Sequence, residues 1–171
     1  MIEELKNIIL SKHSFLNDGF INVFKDEQNG YLRNLNGELV GVEDTNGNYF
    51  YIREEGKWKI NLAKRQITSC AETQDILKSY RIVFIVRCAN PEKLFKCILK
   101  TLIESHFQLT FQEAELNKAV VIFEEYGEDL FKDVMQRLRD NITIISIDFS
   151  LLETFTPSQC DCENPIILCQ D

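Results

Sequence analysis

The stretch that decides the fold is "YRIVFIVRCANPEKLFKCILKTLI", residues 80–103. Its first part, 80–87, is a nearly continuous apolar run bounded by charged residues, the pattern of a central strand buried on both faces. Asn90 then supplies a helix N-cap, and Pro91 suits the first helical position. A helix over 91–105 places its large apolar side chains on one stripe: Leu94, Phe95, Ile98, Leu99, Leu102 and Ile103. The stretch therefore predicts a buried strand followed by an amphipathic helix.

The downstream sequence predicts that this strand belongs to a larger sheet. Three further strands are predicted at "FQLTF" (107–111), "AVVIFEE" (119–125) and "ITIISIDFSLL" (142–152). A second amphipathic helix begins at Glu128 and Asp129, where carboxylates favour the positive end of the helix dipole. The resulting order over 80–152 is β-α-β-β-α-β. It predicts an α+β fold, in which two amphipathic helices cover one face of a four-stranded antiparallel sheet.

The upstream half is predicted to add a helix and a β-meander. Residues 2–12 carry apolar side chains at helical spacing, while three Asn-Gly pairs further on favour tight turns. Four short strands are predicted near 20–24, 38–42, 48–53 and 57–61. The polar residues 62–79 are interpreted as a connector with a helical turn at "AETQDILKS". The chain is thus predicted to form one domain over 1–155, made of 1–61 and the core 80–152, followed by an extended arm, 156–171.

Composition narrows the classes of function. The 171 residues carry a net charge of −8, and the basic residues are scattered, which argues against general binding to nucleic-acid phosphates. No window approaches the apolar length of a membrane-spanning helix, and the first residues do not fit a secretory signal. We therefore expect a protein of the cytosol with reduced cysteines and no membrane partner.

Few residues suggest catalysis. The two histidines, His13 and His106, are interpreted as exposed or helix-terminal residues rather than as bases or ligands. The acidic pairs 54–55 and 124–125 could supply the carboxylates of a glycosidase, but solvated strand and helix ends are the simpler interpretation. Neither a phosphate-binding glycine loop nor a dinucleotide fingerprint occurs in the sequence. We expect no enzymatic activity and no cofactor.

The arm "PSQCDCENPIILCQD" (157–171) concentrates three of the six cysteines, Cys160, Cys162 and Cys169. They are weak candidates for a metal site, because zinc ligands are normally spaced C-x₂₋₄-C and no histidine is near. Pro157 and Pro165 are unsuited to a central strand. The apolar end of the arm favours docking on a partner. We interpret the segment as a docking arm and predict no metal.

The layout resembles that of the tail-terminator and neck (head–tail connector) ring proteins of tailed bacteriophages, including those of crAss-like phages. The resemblance is in the N-terminal helix, the aromatic region "GNYFYIREEGKWKI", the strand–helix stretch at 80–103 and the last strand "NITIISIDFSLLETF". It implies a structural virion subunit, assembled in the bacterial host cytoplasm, that forms a homo-oligomeric ring beside portal, adaptor or tail proteins. DNA would pass through the ring without specific binding, and an acidic lumen would let it slide.

Two surfaces and the end of the arm are the candidate interfaces. Tyr and Trp are favoured at interfaces, and a polar strand face could meet a neighbour. The candidates are Tyr49, Tyr51 and Trp58 in the meander, Ser146, Asp148 and Ser150 in the last strand, and Ile166, Ile167 and Leu168 in the arm. The alternative function is a small ferredoxin-like module that binds a ligand or regulates, and dimerises through its sheet.

Overall fold

The computed structural model describes residues 1–40, 48–68 and 71–155; of 57–68, 71–74 and 154–155 it describes the backbone only. The helices are α1 (Ile2–Lys12), α2 (Pro91–Ile103) and α3 (Lys118–Arg137), with a 3₁₀ turn at Ser14–Leu16. The strands are β1 (Val23–Lys25), β2 (Leu32–Asn34), β3 (Tyr49–Thr68), β4 (Ala71–Arg87), β5 (Leu109–Glu115) and β6 (Ile142–Phe155).

In the described ranges, the main sheet has four antiparallel strands in the order β3-β4-β6-β5, and β1 and β2 form a separate antiparallel pair. The predicted central strand is confirmed: β4 lies between β3 and β6, and all five residues from Ile82 to Val86 are buried. Register aligns Ile52 of β3, Ile82 of β4 and Ile147 of β6 across the sheet. The α+β class, the N-terminal helix and the helix that begins at Pro91 are likewise confirmed.

The helices lie on both faces of the sheet, and not on one face as predicted. Leu5 and Ile9 of α1 share a buried cluster with Ile98 of α2 and the even-numbered side chains of β4. Val121 and Val134 of α3 belong to a second cluster with the odd-numbered side chains of β4. Because β4 is buried on both sides, it needs a continuous apolar sequence, which is what residues 82–86 provide.

The third helix is a helical hairpin folded at Gly127. Gly127 has φ 73° and ψ 176°, a backbone conformation outside the helix and favourable to glycine. The ends of a straight α3 would be about 29 Å apart, at about 1.5 Å of rise per residue. Instead, Lys118 Nζ donates to the carbonyl of Arg139 at 3.2 Å, and the rings of Phe123 and Phe131 are 5.8 Å apart. We call residues 118–126 the first limb and residues 128–137 the second limb.

The hairpin corrects the prediction of a strand at 119–125. These residues form the first limb, whose N-terminus is capped by the Asn117 side chain accepting from the amides of Ala119 and Val120. A short run of β-branched residues has no clear period, so it does not distinguish a strand from a buried helix. The predicted helix from Glu128 corresponds to the second limb. Consequently 80–152 does not have the order β-α-β-β-α-β, and β3 supplies the fourth strand.

A second correction concerns 48–79. The two predicted strands at 48–53 and 57–61 are parts of one strand, β3, with irregular pairing between Glu54 and Trp58. The predicted connector contributes to the end of β3 and the start of β4, and "AETQDILKS" is strand rather than helical turn. The polar sequence of this connector lacks a recognisable period. Its residues form strands because β3 and β4 pair with each other.

Candidate functional site

The candidate interface residues that the structure describes lie inside the chain. Tyr49, Tyr51, Ser146 and Ser150 are buried, and Asp148 is mostly covered, so within the single chain these side chains are not exposed at a surface, and their role at an interface stays a prediction. As predicted, Ser146, Asp148 and Ser150 share one face of β6, but the α3 hairpin lies on that side. The backbone of Trp58 belongs to β3. The candidates Ile166, Ile167 and Leu168, and the cysteines Cys160, Cys162 and Cys169, lie outside the described residues.

What lies under α3 is a row of charges across the sheet. Arg53 of β3, Arg81 of β4 and Asp148 of β6 are direct neighbours in the register. Because side chains alternate along a strand and these three are register partners, they lie on the same face of the sheet. We call these three residues together with Glu125 the charged row.

Glu125 belongs to the first limb of α3, and its fully buried side chain contacts the strand residues of the row. Arg53 donates to both of its oxygens, from Nε at 3.0 Å and from Nη2 at 2.7 Å. The hydroxyl of Tyr51 donates to the same carboxylate at 2.9 Å. Such two-pronged guanidinium pairing is strong and directional. Glu125 is therefore held in one orientation between helix and sheet.

Arg81 joins the remaining carboxylates. Its Nε and Nη2 donate to Asp148 at 2.6 and 2.7 Å. Its Nη1 donates to Glu124 at 2.8 Å and to Glu125 at 3.0 Å. Arg81 thus bridges two acidic residues at the end of the first limb and one in β6, so that two strands and the helical hairpin meet at a single guanidinium.

The pairing sets the protonation states. Burial alone would raise the pKa of Glu125, but the hydrogen bonds and charge of Arg53, together with Arg81 and Tyr51, outweigh it and lower the pKa. The hydrogen bond to Asp148 and the neighbouring carboxylates raise the pKa of Arg81. Burial, with the charge of Glu125 beside it, raises the pKa of Tyr51 well above its ordinary value. Glu125 and Arg81 are therefore ionised at neutral pH, and Tyr51 is protonated.

A second polar contact holds the same turn of the hairpin. The hydroxyl of Tyr126, next to Gly127, donates to the carbonyl of Val40 at 2.5 Å, and both residues are buried. Val40 follows β2, and its amide donates to the carbonyl of Leu32. The turn of α3 is thus fastened to the sheet by Glu125 and to the β1–β2 unit by Tyr126.

The chemistry available to the charged row is positional. Of the buried side-chain oxygens and nitrogens described, one lacks a well-aligned hydrogen bond: Oε1 of Glu55, which lies 2.5 Å from Nη1 of Arg53. Within the described ranges, no three His, Cys, Asp or Glu side chains are arranged to hold a metal ion. Paired arginines and carboxylates of this kind fix a geometry. The row therefore acts as a clamp between α3 and the sheet.

An apolar cleft lies on the opposite face of the sheet, between the start of α1 and the strands. Its lining includes Ile2, Leu5, Ile52, Tyr80 and Leu151, and its empty volume, with the open solvent at its mouth included, is about 180 Å³. Burial, with the nearby charges of Glu54 and Glu153, raises the pKa of Tyr80 to about 12. Ligand pockets are usually ~300–1,000 Å³, so we interpret this cleft as a packing gap.

The histidines occupy helix ends. His13 ends α1, is 8% exposed, and its Nε2 lies 3.0 Å from the hydroxyl of Thr101 in α2. Burial lowers the pKa of His13. His106 follows α2 and lies 3.2 Å from the carboxylate of Glu4. Both contacts connect α1 to the region of α2.

Sequence reasoning missed the charged row. The acidic pairs 54–55 and 124–125 were interpreted as solvated ends, whereas Glu125 is buried and Glu55 mostly covered. The available signal is Arg81 within the otherwise apolar run 80–86, since a charge inside a buried strand requires a partner.

Comparison with known proteins assigns no relative. No protein-family model matches the chain, and no curated protein matches it significantly. Among the described residues, no helix has the length and apolar character needed to cross a membrane.

Proposed function

We propose that this chain is a structural subunit of an oligomeric ring in the neck or tail of a tailed bacteriophage, as a head–tail connector or a tail terminator. It would be assembled in the bacterial host cytoplasm and retained in the virion, beside portal, adaptor or tail proteins. The observation that carries the proposal is the length of the β3–β4 hairpin, which continues well past the part of the sheet covered by helices.

The hairpin extends far beyond what the domain core requires. β3 spans 20 residues and β4 spans 17, whereas an average strand has about five or six. The buried clusters reach Ile52 of β3 and Tyr80 of β4, and Ile76 and Leu77 are only half-buried and belong to neither cluster. From Trp58 the two strands stay paired as far as Thr68 and Ala71, with irregular pairing between Asn61 and Gln66. On the β4 side this paired part runs from Lys78 to Ala71, so the extension is about 25 Å long at about 3.3 Å per residue, enough to contact a neighbouring subunit.

The other side of the sheet supports the same proposal. β5 is the terminal strand, and among the described residues no strand pairs with its outer edge. An open edge can accept a strand from another chain. A long hairpin at one side and an open edge at the other fit head-to-tail contacts, which close into a ring when the rotation allows.

The net charge of −8 suits a DNA channel, because carboxylates facing a lumen repel phosphate and let DNA slide without specific binding. A solved assembly with a lumen lined by Lys and Arg would contradict this part of the proposal.

The alternative, a ferredoxin-like module, depended on a β-α-β-β-α-β unit. Because 119–125 is helical, the observation that favoured it is gone.

Size-exclusion chromatography with light scattering tests the proposal. We expect a discrete oligomer, either alone or with the neighbouring head–tail proteins. A variant in which 62–74 is replaced by an Asn-Gly turn between the paired Asn61 and Asp75 should keep its circular dichroism spectrum but lose the oligomer. A wild-type chain that stays a monomer under both conditions would contradict a ring subunit.

A further inference from the structure

The two outer edges of the main sheet carry opposite charge. At one edge, β5 contains Glu113 and Glu115 but no Lys or Arg. At the other edge, the part of β3 over residues 57–68 contains no Asp or Glu. Its charged residues are all basic: Lys57, Lys59, Lys64 and Arg65. Opposite charges on neighbouring strands attract and like charges repel, so each edge complements the other and disfavours a copy of itself.

Both edges are open along these stretches in the part of the chain that the structure describes. The outer side of β3 is covered only at its start, where the amide of Ile21 donates to the carbonyl of Phe50 and the amide of Phe50 donates to Gly19. Beyond Phe50, and along the whole of β5, no described strand pairs with the outer side. An open edge presents amides and carbonyls that a strand of another chain can pair with.

The charged row leads to the edge of β5, where it ends at Glu113. Glu113 is the register partner of Asp148. Asp148 already accepts two hydrogen bonds from Arg81, whereas Glu113 is exposed and has no ion pair among the described residues. Glu115 is partly engaged, because its carboxylate accepts from the two backbone amides that follow it. The free carboxylate of Glu113 therefore leaves this edge short of a cation.

Strand direction fits a contact between copies in the same orientation. Each neighbouring pair in the order β3-β4-β6-β5 is antiparallel, so the two outer strands run in opposite directions. When two copies stand side by side with their strands aligned, β5 of one meets β3 of the next as an antiparallel pair. The sheet then continues from one chain into the next without turning either subunit over.

The chain's own arm is less suited to the edge of β5. Residues 156–171 include three acidic residues but no Lys or Arg, so the arm has the same sign of charge as β5. Pro157 and Pro165 also lack the amide hydrogen that pairing with an edge requires. The basic stretch of β3 in a second copy is thus favoured by charge and by its established strand structure.

We infer that the open edge of β5 pairs with the outer edge of β3, within residues 57–68, of a second copy of this chain. The inference rests on the proposed ring, because it names the contact that joins neighbouring subunits. Since the two matching edges are different, the contact is head-to-tail. A twofold dimer through two β5 edges, or through two β3 edges, would place like charges opposite each other.

Charge reversal at each edge tests the contact. Glu113→Lys reverses the β5 edge, and its lysine lies beside Asp148 in the same sheet, so the fold should be retained. Lys59→Glu with Lys64→Glu reverses the β3 edge at two points, so the result does not depend on the register of pairing. Each variant should weaken association by roughly 10-fold, because attraction between neighbouring charges becomes repulsion. Light scattering measures association, and circular dichroism verifies the fold.

Matched controls make the same charge changes at exposed positions away from both edges. Glu27→Lys lies in the turn between β1 and β2, and Lys93→Glu with Lys96→Glu lies on α2. These controls should assemble like the wild type, because their substitutions do not face the neighbouring subunit.

The most specific step mixes the two reversed variants at a concentration where each alone is monomeric. Reversed β5 then complements reversed β3, and the unchanged edges complement each other, so we expect oligomers that contain both chains. If the mixture stays monomeric, pairing between these two edges is refuted. If the wild type forms rings and both reversed variants assemble like their controls, the edge contact is refuted and the ring stands. A wild type that stays monomeric, alone and with the neighbouring head–tail proteins, would refute both.

Discussion

The two faces of the central sheet are built from different chemistry. Under α1 and α2, aromatic rings stack across strands: Phe50 on Phe84 at 5.3 Å, and Tyr80 on Phe149 at 5.6 Å. Under α3, the rows of Tyr51 and Val83 give way to the charged row of Arg53, Arg81 and Asp148. The same three strands therefore present an apolar core on one side and a core crossed by ion pairs on the other.

The two kinds of interaction have different roles: apolar burial stabilises the fold, and the ion pairs of the charged row position α3. Apolar burial stabilises without strong directional preference, at about 25 cal/mol per Å². Buried ion pairs lose hydration and contribute little net stability, but they tolerate few geometries. We conclude that apolar burial on both faces supplies most of the stability, and that the charged row fixes where the turn of α3 sits on the sheet.

The largest effect should come from the aromatic face. Phe84→Ala should reduce the free energy of unfolding by about 3–5 kcal/mol, because it removes a fully buried ring and leaves a cavity. Urea unfolding measures the loss. The control Phe24→Ala, at an exposed position, should change stability by less than about 0.5 kcal/mol. A loss at Phe84 no larger than at Phe24 would refute the assignment of the core.

The second-largest effect is expected for Glu125→Gln. It should reduce the free energy of unfolding by about 3 kcal/mol at pH 7, because it leaves Arg53 and Arg81 without the charge of a buried partner. The pKa of Glu125 is lowered in the fold, so its ionisation contributes stability above the ordinary carboxylate pKa, and this contribution is lost as pH falls through the folded value. The difference between wild type and variant should therefore shrink in acid. A stability difference between wild type and Glu125→Gln that is constant with pH would contradict the role of Glu125 as a clamp. The control is Glu128→Gln, at an exposed position.

These two regions also differ in how far sequence predicts them. The strand at 80–87 and the helix from Pro91 follow from local patterns: an apolar run, an N-cap and an amphipathic stripe. The charged row is not local, since Arg53 and Glu125 are 72 residues apart and meet only once the hairpin of α3 has folded. The run 119–125 favours a strand because its β-branched residues suit either structure. Glu128 and Asp129 do predict a helix start after Gly127, but nothing local shows that the segment before Gly127 is also helical and that the two fold together.

A smaller effect is expected at the second fastening of the α3 turn. Tyr126→Phe should cost about 1–2 kcal/mol, because the carbonyl of Val40 would be left buried without this donor. Thermal unfolding at constant pH measures it. Unchanged stability would mean that the contact between α3 and the β1–β2 unit contributes nothing.

The smallest effect tests whether 118–126 is helical. Asn117→Ala should cost about 1 kcal/mol by removing the N-cap of the first limb, while Asn117→Ser should stay close to the wild type because serine caps equally well. Chemical unfolding of the pair provides the measurement. Equal stability of the two variants would favour the strand that the sequence suggested.

Electron microscopy of the purified chain, alone and with the neighbouring head–tail proteins, tests the ring proposal most directly. The account predicts closed rings of identical subunits around a central channel, with the β3–β4 hairpin of each subunit reaching the next. Isolated single subunits in both preparations would contradict it.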